Sequence, residues 1–199
     1  SGDIWFMEAT AVWSEDELYD DVNDLYRYMP SWFSNPNKPI FESSGNHMYG
    51  SFILFQYIDE HFGGRETIRK CWESSRDLAN SNTDVTYDAI DNALESHNVS
   101  FEDAYLRMRI ANRILSNEPG AEPFTYDEVE DYKTVIGNWG DPPGPPETNL
   151  LFEKGNTQII KDQGLDLYES AYYSILTNDP VNITVIESAG QLQLTSILK

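Results

Sequence analysis

Apolar residues recur every three to four positions through the first 116 residues, which is the spacing of helices with one buried face. The run "WFMEATAVW", Trp5 to Trp13, predicts an opening helix over about 3–13. "SEDELYDDVNDLYRYM" follows, and Ser14 with acids behind it reads as an N-cap of a second helix. Pro30, Pro36 and Pro39 predict a loop over 30–47. "MYGSFILFQYIDEHF" is apolar on nearly every side and predicts a central buried helix, closed by Gly63-Gly64. Further helices are expected over about 65–79, with Ile68, Cys71, Trp72 and Leu78 on one face, and over 86–97. Ser100-Phe-Glu-Asp103 has the form of a capping box at the start of the last one.

The pattern changes after Asn117. "NEPGAEPF" and "GDPPGPPET" are rich in turn formers. Beyond them "TNLLFEKG", "TQIIKD", "LDLYESAYYSIL", "VNITVIES" and "QLQLTSIL" are short β-prone runs divided by Gly, Asn, Asp and Pro. The expectation is an α+β chain: a helical lobe over 1–116, a proline- and glycine-rich connection over 117–148, and a small antiparallel β-sandwich-like region over 149–199. The chain opens on a core-like helix and ends on a strand-like run, so both edges read as cut.

Thirty-four acidic against thirteen basic residues give a net charge of −21. A nucleic-acid surface needs the opposite sign, and so does an anionic membrane. No apolar run reaches membrane-spanning length, and no signal peptide is present. One cysteine, Cys71, allows neither an internal disulfide nor a cysteine-based zinc site, and it reads as a small core residue.

Glu8 stands out chemically, because it lies inside the most apolar run of the chain. Its helical neighbours Ile4, Trp5, Ala11 and Val12 cannot answer a carboxylate, and a buried carboxylate needs a partner. Two acidic stretches have the oxygen ligands that calcium takes. Asn80, Asn82, Asp84, Asp88 and Asp91 fall at positions 1, 3, 5, 9 and 12 of an EF-hand count, with Val85 where that loop has Gly; Asp20 to Asp24 is the other stretch. Helix capping and turn formation explain the same residues.

The pattern Trp5-x-x-Glu8-Ala9-x-Ala11-x-Trp13, joined to "YGSFILFQYIDEHFGG", resembles the third-ligand helix and following segment of gluzincin-like zinc metallopeptidases secreted by bacteria and archaea. The resemblance covers about the first 75 residues. It implies a helical catalytic lobe followed by a β-sandwich, Glu8 as a zinc ligand, and Tyr49 or His47 as an oxyanion-stabilising residue, with Glu15 and Asp16 nearby. It also implies a peptide or protein substrate and an extracellular or cell-surface location. The family's His-Glu-x-x-His helix is absent: His47, His61 and His97 are the only histidines, and no two are four residues apart. The expectation is therefore the C-terminal part of an exported zinc metallopeptidase, inactive as these 199 residues. The alternative is a non-catalytic cell-surface binding or structural module.

Overall fold

The computed structural model describes residues 3–19, 21–79, 85–129, 131–132, 145–151, 165–177 and 180–183. Helix α1 runs Ile4–Leu18 without a break at Ser14, whose hydroxyl donates to the Ala11 carbonyl at 2.8 Å inside the helix. The expected second helix is replaced by a short 3₁₀ turn, Asp24–Tyr28, and by α2, Met29–Phe33. Pro30 starts α2 rather than ending a helix, because the first turn needs no amide hydrogen from it.

The central apolar run forms α3, His47–Gly50, and α4, Phe52–His61. Gly63 and Gly64 then turn the chain with φ of +91° and +74°. A side chain at Gly63 would put its Cβ 2.9 Å from His97 and Thr67, so this turn requires glycine twice over. Helices α5, Arg65–Leu78, and α6, Thr86–Leu94, follow. Helix α7, Phe101–Ile114, opens as expected: the Ser100 side chain accepts from the Asp103 amide.

The core is aromatic. Trp5 is fully buried, with Phe55 of α4 and Tyr87 of α6 stacked at centroid distances of 6.2 and 6.0 Å. Helix α1 packs on α4, α5 on α6, and α4 on α7. Tyr126, Val129 and Tyr132, from the stretch expected to be a connection, are buried in this same core. Buried Asn112 of α7 links two of its rings: in the amide orientation that satisfies both neighbours, it accepts from Trp32 Nε1 at 3.0 Å and donates to the Tyr126 hydroxyl at 2.6 Å.

The described residues do not form the expected antiparallel sandwich. They form one two-stranded parallel sheet, β1 (Glu147–Leu151) beside β2 (Tyr172–Leu176), with Glu147 opposite Tyr172 and Leu151 opposite Leu176. A parallel pair needs a long crossover, and the twenty residues from 152 to 171 supply the length. Both strands are tied to α7. Arg113 grips Glu147 through Nε and Nη2, at 3.0 and 2.5 Å, and the Tyr172 hydroxyl donates to the Arg109 carbonyl at 2.8 Å. Both contacts are made by the first residue of each strand, so the two strands start side by side on α7, and strand propensity carries no information about that. The runs at 157–162 and most of 181–198 lie outside the described residues.

Candidate functional site on the first helix

Successive residues of a helix are turned about 100° from each other. On α1 this places Trp5, Phe6, Ala9, Val12 and Trp13 in the core and turns Ile4, Met7, Ala11, Glu15 and Leu18 outward. Glu8 falls on the boundary. It is half-buried rather than interior, and among the described residues it makes no hydrogen bond or ion pair. Glu8 is thus not the interior carboxylate that its apolar neighbours suggest, and the reason is geometric. The buried stripe is centred on Ala9, one step around the helix, and Glu8 can reach past it to solvent.

The outward apolar residues Ile4, Met7, Ala11 and Leu18 are three, four and seven positions apart along α1, with polar Ser14 interrupting the row. Met7 is 55% exposed and Leu18 72%. Trp72 of α5, with its ring 4.7 Å from Phe6, extends this surface and is 42% exposed. Sequence reading placed Trp72 on the buried face. The α5 face that faces the core instead carries Thr67, Ile68 and Cys71. Cys71 is buried, and burial pushes its thiol up to about 12, which makes it the core residue the sequence suggested.

His47 and Tyr49 share the four-residue helix α3, which touches α1. The two side chains have different surroundings. His47 is fully buried and stacked on Trp32 at 4.8 Å. Its ring nitrogens lie near the Ser31 and Pro39 backbone, but neither completes a hydrogen bond of good geometry. Loss of solvent lowers its pKa to about 4, with the Arg109 guanidinium adding to the effect, so the ring is neutral at pH 7. Tyr49 is half-buried and stacks on Tyr28 at 4.8 Å. Of the two, only Tyr49 reaches the surface.

Two features escaped the sequence reading. Arg109 of α7 is buried, with its guanidinium 4.7 Å from the Trp32 ring and 5.1 Å from that of Tyr105; Nη2 donates to the Pro36 carbonyl at 3.0 Å. The Tyr105, Arg109, Asn112 spacing on one face of α7 was the available signal. Glu60, at the end of α4, accepts from Gln56 Nε2 at 2.9 Å and from the Asp127 amide at 3.2 Å. Burial pushes its carboxyl up to about 8, helped by Asp127 and Glu128 and opposed by these two hydrogen bonds.

No three His, Cys, Asp or Glu side chains converge as a metal site among the described residues. His61 Nε2 lies 2.9 Å from the Thr125 carbonyl, and His97 Nε2 lies 3.4 Å from the Thr67 hydroxyl. Neither is beside Glu8 in a donor set. Of the EF-hand-like series, Asn80, Asn82 and Asp84 lie outside the described residues. Asp88 is on an exposed turn of α6, and Asp91 accepts the Phe101 amide. In the other acidic stretch Asp20 also lies outside the described residues, and Asp21 is exposed. No helix is long and apolar enough to cross a membrane among the described residues. No protein-family model, curated protein or solved structure matches this chain.

Proposed function

We propose that this chain is the third-ligand part of a gluzincin-type zinc metallopeptidase that acts on peptide or protein substrates at or outside the cell surface. Glu8 supplies one carboxylate, and two histidines come from outside these 199 residues. The supporting observation is Glu8 itself. It is a half-buried carboxylate without a partner among the described residues, on a helix whose opposite face is locked into an aromatic core. Ala11, one turn along, is small and faces outward, which leaves room for another helix to approach the carboxylate.

The residues present fit such a site only as one donor. Catalytic zinc takes three protein ligands and keeps a position open for water. Bound there, the metal would lower the pKa of that water and polarise the peptide carbonyl. This chain's contribution is to hold the Glu8 backbone rigidly through Trp5, Ala9 and Trp13. Tyr49, on a helix touching α1, is the candidate hydrogen-bond donor to a developing oxyanion, while His47 is walled off in the core.

The test uses the longest natural form of the protein. It should bind one zinc per chain and hydrolyse casein. Glu8→Gln should weaken zinc binding by at least about ten- to a hundred-fold, since even outer-sphere losses cost that much. The 199-residue chain alone should bind zinc no tighter than about micromolar, because a single carboxylate is a poor site. In that chain Glu8→Gln should leave the melting temperature unchanged or raised. A natural form without zinc, or one indifferent to Glu8→Gln, would overturn the reading. The non-catalytic module would then stand, on the strength of the exposed apolar residues of α1.

A further inference from the structure

Asn98-Val99-Ser100 and Asn182-Ile183-Thr184 are the two places in the chain where an asparagine stands two residues before a hydroxyl side chain with no proline between them. That is the pattern to which sugar is transferred in exported proteins. Its meaning here rests on the export that the proposed function includes. Asn182 is exposed, and Thr184 lies outside the described residues.

At Asn98 both ends of the pattern are described. Asn98 follows the 3₁₀ turn Glu95–His97, in left-handed backbone with φ of +55°. Its side chain is exposed and makes no hydrogen bond among the described residues. Other asparagine amides are committed: Asn35 donates to the Ser31 carbonyl at 2.7 Å, Asn92 to the Ser74 hydroxyl at 3.0 Å, and buried Asn112 to the Tyr126 hydroxyl. The backbone would accept Gly at 98, and the cap of α7 would accept Asp or Asn at 100. Asn98 with Ser100 meets these local needs and is also a sugar acceptor.

The fold also says when transfer takes place. The Ser100 hydroxyl accepts from the Asp103 amide at 3.1 Å, and Val99 is buried. A transferase must hold the asparagine amide and the hydroxyl together. In the folded chain the hydroxyl is engaged in the cap and the residue between is held in the core.

We propose that Asn98 carries an N-linked oligosaccharide, added during export before α7 has folded. The Asn98 Nδ2 attacks the anomeric carbon of a lipid-phosphate-linked oligosaccharide. A C–N bond forms, the C–O bond to phosphate breaks with its electron pair leaving on the lipid phosphate, and Nδ2 gives up one proton. After folding, the sugar stands on the turn between α6 and α7 and displaces no hydrogen bond of the described residues.

Trypsin, cutting after Arg76 and Arg107, releases a peptide of residues 77–107 that holds Asn98 and not Asn182. In the longest natural form, tandem mass spectrometry should find sugar on Asn98 in most copies of this peptide. Asn98→Gly suits the left-handed backbone, so it should remove the sugar; made without export, this variant should melt at the same temperature as the parent made the same way. Ser100→Thr keeps cap and acceptor and should keep the sugar, and Ser100→Ala should lose it. A synthetic peptide of residues 95–103 should be glycosylated by microsomes supplied with lipid-linked oligosaccharide, while the folded chain made without export should not. A bare 77–107 peptide in the natural protein, sugar retained in Ser100→Ala, or a folded chain modified as fast as the synthetic peptide would overturn the proposal. Zinc is measured separately in the same natural sample. Bound zinc with Asn98 bare sinks the glycan alone, and a glycan without zinc sinks the metal reading alone.

Discussion

His47 should make this protein lose stability in mild acid. Its ring is fully buried against Trp32, and its pKa is lowered from 6.5 to about 4. Desolvation is the main cause, the positive charges of Arg109 and Lys38 add to it, and the Ser31 and Pro39 backbone opposes it. The folded state therefore takes up this proton later than the unfolded state as the pH falls. Above pH 6.5 neither state is protonated here and nothing is lost. Between 6.5 and about 4 only the unfolded state binds the proton, and stability falls by about 1.4 kcal/mol per pH unit. The full loss is about 3 kcal/mol. Because neither ring nitrogen has a good hydrogen bond, His47→Phe keeps the stack on Trp32 and strands no polar partner. Urea unfolding of both proteins at pH 7, 6, 5 and 4 isolates the effect, since all other titrations are shared. The advantage of His47→Phe should be small at pH 7 and grow by about 3 kcal/mol by pH 4. A difference that does not change with pH would refute the argument and mean that His47 finds a proton acceptor or water in solution.

Glu60 should act in the opposite direction. Its carboxyl titrates at about 8 in the fold and near 4.5 when unfolded, so stability falls as pH rises from 4.5 to 8; Glu60→Gln should be more stable than the parent at pH 8 and lose that advantage by pH 4.5 in the same urea assay. Trp5→Ala removes a fully buried ring that meets Phe6, Phe55 and Tyr87, and should cost about 3–5 kcal/mol by denaturant unfolding. Gly63→Ala forces a Cβ to within 2.9 Å of His97 and Thr67 at a φ of +91°, and should cost about 1–3 kcal/mol; a neutral result would show that this turn relaxes freely. Cys71 should resist a thiol reagent at pH 8 in the native protein and react fully in denaturant.

The sequence by itself determined the local elements whose causes are local. The 3.6-residue periodicity placed α4 to α7 within a few residues, Gly63-Gly64 marked the turn, and Ser100 marked the start of α7, because periodicity, left-handed backbone and capping act within one turn of chain. It singled out Glu8, yet put that residue inside the core. Which side of α1 is buried depends on where α4 and α6 present Phe55 and Tyr87, and a run apolar on most sides does not reveal that. Tertiary structure alone buried His47 against Trp32, gave Arg109 its aromatic and carbonyl seat, and raised the proton affinity of Glu60, since each depends on side chains far away in the sequence. It also decided strand pairing. β-prone runs announce strands, but that β1 and β2 pair in parallel, each starting on α7 through Glu147 and Tyr172, is visible only in the fold. A strand's residues show that it will pair, while its partner and direction depend on parts of the chain far away in sequence.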